Sequence, residues 1–396
     1  MEYLDLIPKS DCTGCASCAN GCPVKCITME PDEKGFLYPN VDRSVCLQCG
    51  NCKTACPVLN KDRFQTPVES VFYGCKNSDD SIRIASSSGG FFYELARCVI
   101  VKGGIVFGAR FSDDFKKVYH SEAQTMDEVR PMMVSKYVQS EIGQSYVKVR
   151  DYLKIGKTVL FTGTPCQIAG LRSFIGDNDN LILAEIICHG VPSPKVWNIY
   201  LSSIENEYGG TVAFVTFRDK SRSWRQSDFK VEFDNGQTFI QPNKDNPYMK
   251  SFLRNLSLRD SCTDCKFKRF ASGADITMGD FWGSTELGSC YSDDIGISVI
   301  ALHSDRGRDA FNTLQGRLTG VVRLSEYSAF VFNESYKTSP AKHPLSDSFF
   351  ERIDKEIIGA LIDEMAPERQ STGKTKGSFL YLIRKVYKAV KRSNAK

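Results

Sequence analysis

With 396 residues the chain is long enough for about two or three domains, and its composition of 41% hydrophobic and 25% charged residues is ordinary for a folded protein. The net charge of +4 gives no case for nucleic-acid binding, and no apolar run approaches the ~18 residues of a membrane-spanning helix. Residues 1–10 contain Glu2 and Asp5 and no apolar stretch, so they do not predict a secretory signal. We therefore expect a cytoplasmic protein whose 16 cysteines are reduced.

Two cysteine runs, at residues 12–23 and 46–57, have the spacing C-x2-C-x2-C-x3-C-P that is typical of bacterial ferredoxins. Soft thiolate ligands suit cluster iron, and the fourth cysteine of each run reaches across to the other cluster. A pair of zinc knuckles is the alternative, but zinc sites take their ligands in pairs without a trailing Cys-Pro. The predicted ligands of two [4Fe–4S] clusters are Cys12, Cys15, Cys18 and Cys56 for cluster one, and Cys46, Cys49, Cys52 and Cys22 for cluster two.

Residues 1–62 are thus predicted to form a small α+β domain of the bacterial 2[4Fe–4S] ferredoxin type. We expect Phe36, Leu37 and Tyr38 to cover one side of its metal core, because a dry shell helps to set the reduction potential. Cys26 is a spare cysteine, for which a small buried apolar role is favoured.

An α/β pattern follows a linker at 61–69. It predicts a mixed sheet with flanking helices in a domain at 68–345, with a subdivision near 155 left open, followed by C-terminal helices and a basic tail at 346–396. The predicted strands are 71–74, 104–110, 157–162, 181–187, 211–217, 229–240 and 295–303, and the predicted helices are 91–101, 141–155, 246–258 and 346–365.

Four further cysteines lie at informative places. Thr164 as N-cap and Pro165 as first helical residue place Cys166 in the first turn of a helix, where a thiolate is stabilised, so Cys166 is predicted to be a metal ligand or a nucleophile. Cys188 follows the next strand, and Cys262 and Cys265 form a CxxC pair. Four thiolates in a chain that already assembles clusters favour a third [4Fe–4S] site, with zinc as the alternative. We interpret Cys75, Cys98 and Cys290 as structural.

Two short segments carry weaker signals. The Ser/Gly-rich turn 86–90 opens a helix and could bind an anion such as a cofactor phosphate, although a plain helix cap is the simpler interpretation. Lys136 and Tyr137 could hold a phosphate and stack on a ring, and surface roles are as compatible with the sequence.

The tail at 376–396 is a basic amphipathic pattern that suits either a peripheral membrane contact or packing on its own domain.

Three separated motifs, at 161–172, 188–194 and 262–283, resemble the coenzyme F420 hydrogenase/dehydrogenase beta-subunit family, which includes 7-hydroxymethyl chlorophyll a reductase. The resemblance covers roughly residues 70–330. It implies FAD bound without a Rossmann fingerprint, and a [4Fe–4S] cluster on Cys166, Cys188, Cys262 and Cys265. It also implies that the flavin is lined by Ser87, Ser88, Gly89, Gly90, Lys136 and Tyr137.

Together these observations predict an iron–sulfur flavoprotein oxidoreductase. It would transfer electrons between a hydride-carrying small molecule, for which coenzyme F420 is one candidate, and ferredoxin-type clusters, with FAD converting electron pairs into single electrons. A redox partner protein, either ferredoxin or a dehydrogenase or hydrogenase subunit, is expected. The alternatives are a non-catalytic electron-relay subunit, a ferredoxin-dependent reductase and a zinc-stabilised scaffold. No catalytic acid or base is assigned, and neither a Rossmann fingerprint nor a P-loop is present.

Overall fold

A computed structural model of the protein describes residues 7–64, 69–288, 291, 293–314 and 316–367. The strands are β1 (Ile27–Pro31), β2 (Leu37–Val41), β3 (Val71–Asn77), β4 (Ile105–Phe111), β5 (Val118–Ala123), β6 (Val159–Gly163), β7 (Leu181–Ile186), β8 (Val212–Asp219), β9 (Asp228–Phe233), β10 (Thr238–Pro242), β11 (Ile276–Asp280), β12 (Ser298–Leu302) and β13 (Leu318–Leu324). The α-helices are α1 (Ser17–Asn20), α2 (Asn51–Ala55), α3 (Asp80–Ile84), α4 (Phe91–Val101), α5 (Met126–Val129), α6 (Ser145–Lys154), α7 (Pro165–Ile175), α8 (Pro194–Tyr208), α9 (Pro247–Leu253), α10 (Asp305–Asn312), α11 (Glu326–Phe330), α12 (Ser346–Arg352) and α13 (Ile358–Met365).

The main sheet has eight strands in the order β13-β3-β12-β11-β7-β6-β4-β5. Strands β4, β6, β7 and β11 are parallel, and the other pairings are antiparallel. Successive side chains of β6 enter two different cores, because Val159 and Phe161 face α6 and α7 while Leu160 faces α4. Helices therefore cover both faces, and the predicted class of an α/β mixed sheet with flanking helices is confirmed.

A second, antiparallel sheet of the order β10-β9-β8 packs with α8, α9, α12 and α13 around an aromatic core. Trp197 lies at its centre and donates from its indole nitrogen to the Phe115 carbonyl, 2.7 Å away. This layer lies beside the carboxyl ends of the parallel strands, since Arg218 of β8 reaches Asp280 at the end of β11. It thus forms one wall over that edge of the main sheet.

The N-terminal unit consists of the β1–β2 hairpin, α1 and α2, and it packs directly on α7. The Ser17 hydroxyl donates to the Gly170 carbonyl at 2.9 Å. A Cβ on Gly170 would lie 3.1 Å from both Cβ and Sγ of Cys15, so this helix has no room for a side chain where it meets the cysteine loop. Ferredoxin-type architecture at the N-terminus is as predicted.

Two expectations about local structure were wrong. The predicted helix 346–365 is divided into α12 and α13, because both short helices turn their apolar faces into the same core. Phe36 does not cover a metal site: it packs edge-on against Phe350, with ring centroids 6.4 Å apart, in the aromatic core. The helices predicted at 141–155 and 246–258 are shorter, since α6 spans Ser145–Lys154 and α9 spans Pro247–Leu253.

Within the part of the chain that the structure describes, no helix has the length and apolar character needed to cross a bilayer. The predicted basic tail at 376–396 and Cys290 lie outside the described residues.

The contact at Gly170 gives a test of how tightly the N-terminal unit is docked. We expect Gly170→Ala to lower stability by about 1–3 kcal/mol, because its Cβ would press on Cys15 and on the Tyr146 hydroxyl, 2.9 Å away. Anaerobic thermal unfolding followed by circular dichroism measures the change.

The control is Gly359→Ala in α13, where a Cβ would meet no atom within 4 Å. This substitution should leave stability unchanged or raise it by about 0.4–1 kcal/mol, because it restricts the unfolded chain. Equal unfolding temperatures for the two variants would contradict close docking at α7.

Candidate functional site

Four cysteines that are far apart in sequence line one pocket at the carboxyl ends of the parallel strands. Cys166 lies in the first turn of α7, which follows β6, and Cys188 lies two residues after β7. Cys262 lies in a 3-10 turn at Asp260–Asp264, and Cys265 follows this turn directly. Because β6 and β7 are parallel neighbours, their chain ends meet at this edge, where ligands of α/β sheets collect.

The helix start at Cys166 forms as predicted. Thr164 and Gln167 make a capping box, and Pro165 is the first helical residue. Burial nevertheless outweighs the helix N-terminus, and it raises the pKa of Cys166 to about 11. An unmetallated thiol there stays protonated at neutral pH, so the alternative of a Cys166 nucleophile has no support.

The other three thiols share this environment. Burial raises the pKa of Cys262 to about 12 and also raises the pKa values of Cys188 and Cys265. The Val191 amide donates to Cys262 Sγ at 3.4 Å, and the Thr164 hydroxyl lies 3.2 Å from Cys166 Sγ. Enclosed thiols with hydrogen bonds to sulfur suit a metal centre, whose binding displaces the protons.

Zinc would require the four sulfurs to surround one ion at about 2.3 Å each. Across the described residues, no group of three or more His, Cys, Asp or Glu side chains is placed so that it could hold a single metal ion. The choice between zinc and a [4Fe–4S] cluster for these four cysteines stays a prediction.

Two charged side chains line the same pocket. Glu185 accepts hydrogen bonds from the hydroxyls of Ser272 and Thr277, the latter at 2.6 Å, and burial raises its pKa to about 7. Lys268 donates to the carbonyls of Cys188 at 2.6 Å and Ser335 at 2.7 Å. Lys268 therefore fixes the loop that carries Cys188.

The cysteines of the N-terminal unit are grouped as their spacing predicts. One pocket is lined by the four assigned to cluster one, namely Cys12, Cys15, Cys18 and Cys56. Cys22 packs with Cys46 and Cys52 of the second run. Cys26 is buried as expected and lies 3.4 Å from Cys22, sulfur to sulfur. The ligand assignment of each cluster stays a prediction, and the crossed arrangement of the runs supports it.

A buried arginine joins the two regions. Arg259 donates to the carbonyls of Cys12 at 2.8 Å and Leu37 at 3.0 Å, and it lies over the Tyr38 ring at 4.1 Å. It also lines the pocket of the third cysteine group, and Thr13 lines both pockets. The pockets of cluster one and of the third group are therefore neighbours.

The residues predicted to line a flavin lie at the same sheet edge. The Ser135 amide donates to the Ser87 hydroxyl at 2.6 Å, which joins the 86–90 turn to the segment with Lys136 and Tyr137. Arg218 connects both, since it donates to the Ser87 carbonyl and to the Tyr137 hydroxyl, each at 3.3 Å. The structure thus brings the two predicted segments together.

Three of the predicted flavin residues have structural partners of their own. The Ser88 hydroxyl donates to the Ile297 carbonyl at 2.8 Å. A Cβ on Gly89 would lie 2.5 Å from the Ser298 nitrogen, and Gly90 has a φ of +81° as the N-cap of α4. These contacts account for Ser88, Gly89 and Gly90 without a ligand, and a flavin role for them stays a prediction.

Sequence reasoning missed several polar residues at this edge. Arg218 forms a buried ion pair with Asp280 at 2.9 Å, and Lys220 donates to three backbone carbonyls. At this edge of the described structure, Arg218 Nε and His120 Nδ1 are buried without a hydrogen-bond partner. Only Asp280 had a sequence signal, since it lies within the third motif.

Lys136 is half-buried, and its ammonium donates to the Val134 carbonyl at 2.7 Å. Burial, with a smaller contribution from nearby Arg110, lowers the pKa of Lys136 to about 7. Burial lowers the pKa of His120 to about 4, and the positive charge of nearby Lys136 lowers it further.

Comparisons with known proteins agree with this organisation. Residues 156–326 match the family described as the C terminus of the beta subunit of coenzyme F420 hydrogenase/dehydrogenase, and residues 11–60 match a 4Fe-4S dicluster domain. No protein of curated function matches the sequence. A chain of the F420-reducing [NiFe] hydrogenase complex from Methanosarcina barkeri, studied after xenon derivatization, is 18% identical with a TM-score of 0.45, and the match covers 74% of this chain and 90% of that one.

The protein is therefore an oxidoreductase-like iron–sulfur electron-transfer protein. Its residues 156–326 are similar to the C terminus of the beta subunit of coenzyme F420 hydrogenase/dehydrogenase, and they follow a region at 11–60 that is similar to a 4Fe-4S dicluster domain.

Proposed function

We propose that this protein is a flavin- and iron–sulfur-dependent oxidoreductase that exchanges electrons between a hydride-carrying small molecule and a redox partner protein. The observation that supports this most strongly is the convergence of four half-buried thiols in a pocket that shares Thr13 with the pocket of cluster one. Coenzyme F420 is one candidate for the small molecule, on the family's name alone.

A third [4Fe–4S] cluster would be held by Cys166, Cys188, Cys262 and Cys265. The thiols are enclosed, they come from three separate chain segments, and their sulfurs accept hydrogen bonds from the surrounding loops. Arg259 lies between this pocket and the loop of Cys12, so its positive charge acts on both centres.

FAD would bind beside Arg218, Lys136 and His120, which lie near one another at this sheet edge. An isoalloxazine ring offers carbonyl oxygens and ring nitrogens, which match the unpartnered Arg218 Nε and His120 Nδ1. When bound, a flavin supplies the conversion between paired and single electrons. Asp280 holds Arg218 in place, and Ser87 and Tyr137 fix the other side of its guanidinium.

Metal content tests the third site. We expect Cys166→Ser and Cys265→Ser each to lower the iron of anaerobically purified protein by about four atoms per chain, from about twelve to about eight, because a cube is lost with its ligand. Iron and sulfide assays measure this. The control is Cys98→Ser, since Cys98 lies in α4 away from the pocket and should leave the iron content unchanged. Full iron in both pocket variants would exclude the site.

Flavin content tests the second cofactor. Arg218→Lys keeps the charge beside Asp280 but lacks the planar guanidinium, so we expect flavin affinity to fall by at least about tenfold, or about 1.4 kcal/mol. Flavin released from purified protein and flavin titration measure the loss, and iron content should not change.

The control is Arg130→Lys, because the Arg130 side chain is 57% exposed and lies at the surface.

Wild-type protein should also be reduced by one donor among reduced coenzyme F420, NADH, NADPH and reduced ferredoxin. Wild-type protein that binds no flavin and accepts no hydride would overturn the proposal and favour an electron-relay subunit.

A further inference from the structure

The two cysteine sets of the N-terminal unit differ in their exposure to solvent. Cys18 and Cys56 of cluster one are buried, and Cys15 faces α7. Cys49 of cluster two is exposed, and the loop around it, residues 42–51, is exposed at nearly every position. Cluster two therefore lies on the side of the unit that is turned away from the rest of the chain.

Apolar side chains lie on the surface around cluster two. Leu47 is 65% exposed, Val45 is 50% exposed and Val24 is 39% exposed. Isolated exposed apolar residues are common, but these three lie on loops that touch, because the Asp42 amide donates to the Cys26 carbonyl at 2.8 Å. Val45 and Leu47 thus lie on one exposed loop and Val24 on the adjoining one, and we refer to these three residues as the apolar patch beside the cysteines.

Positive charge exceeds negative charge near this patch among the residues that the structure describes. Exposed cations there are Lys25 beside Val24, Lys53 in α2, and Lys61 and Arg63 after α2, and the exposed acids are Asp42 and Asp62. Asp42 is engaged locally, since its carboxylate accepts from the amide and the hydroxyl of Ser44 at 2.9 and 2.6 Å. Four cations against two acids give these described segments a basic excess beside the apolar residues.

We propose that this surface, centred on Leu47 and rimmed by Lys25 and Lys53, docks a small acidic electron-carrier protein. This proposal rests on the proposed function in one respect, because it takes cluster two as the terminal redox centre, where electrons enter or leave the protein. A charged rim steers an oppositely charged partner and speeds the encounter. A small apolar centre suits the transient contacts of redox proteins, which bury less than about 1,200 Å². One electron leaves the carrier and one enters this chain in each encounter, or the reverse.

Affinity measures the docking directly. Isothermal titration of the full-length protein with an oxidised, strongly acidic bacterial 2[4Fe–4S] ferredoxin should give binding at low salt. We expect Lys25→Glu/Lys53→Glu to weaken this binding by at least about tenfold, with the difference shrinking as salt screens the charges. Leu47→Asp should weaken it as well, because it places a negative charge at the apolar centre.

The matched control is Lys102→Glu/Lys355→Glu, which changes the net charge by the same amount at two exposed lysines on other elements. It should change affinity by less than about twofold. The same affinity in both double variants would show a response to net charge alone and would overturn the proposal. The proposal would also be overturned by unchanged binding in the Leu47→Asp variant or by an absence of ferredoxin binding to wild-type protein.

A kinetic arm separates this proposal from the proposed function. Reduced methyl viologen, a small cation, needs no docking surface and should reduce the double variant at least as fast as wild-type protein. Loss of hydride oxidation with intact, surface-dependent ferredoxin binding would overturn the proposed function alone. Intact hydride oxidation with surface-independent ferredoxin binding would overturn the docking surface alone.

Discussion

The relative placement of the two cysteine regions depends on one buried guanidinium. Arg259 is fully buried and forms no ion pair with a carboxylate in the described parts of the chain. Burying an uncompensated charge is costly, and here the carbonyls of Cys12 and Leu37, the side chain of Gln139 and the Tyr38 ring provide the compensation. Most of these partners belong to the N-terminal unit. The arginine is therefore satisfied only when that unit is docked, so the cysteine loops of both regions are held together.

Close backbone contact reinforces the same interface. Gly14 has a φ of +68°, and a Cβ there would lie 2.8 Å from the Arg259 guanidinium. Gly170 makes a comparable approach from α7 to Cys15. A glycine on each side lets the backbones approach, and this proximity places the third thiol pocket beside cluster one. The electron route inferred above depends on that proximity rather than on either domain alone.

Burial has the largest effect on the pKa values of the Cys166 thiol and of the Lys136 ammonium. A helix N-terminus lowers the pKa of a cysteine and burial raises it, and at Cys166 burial has the larger effect. Burial, with a smaller contribution from Arg110, likewise lowers the pKa of Lys136 to about 7. In both places the surroundings disfavour the charged form of the side chain.

The sequence by itself determined the local elements and the cysteine sets. Helix α4 spans the predicted residues 91–101, and the parallel strands β4, β6 and β7 lie within a few residues of their predicted positions, because apolar periodicity and turn residues are local signals. The fourth parallel strand, β11, was not predicted. Cysteine spacing likewise grouped the N-terminal cysteines. Only the tertiary structure placed Phe36 in a distant aromatic core, and only it brought Arg218 to Asp280 and Arg259 to Cys12. A single arginine or phenylalanine has no spacing pattern, so its partner is decided by how the layers pack and which buried charge needs a partner.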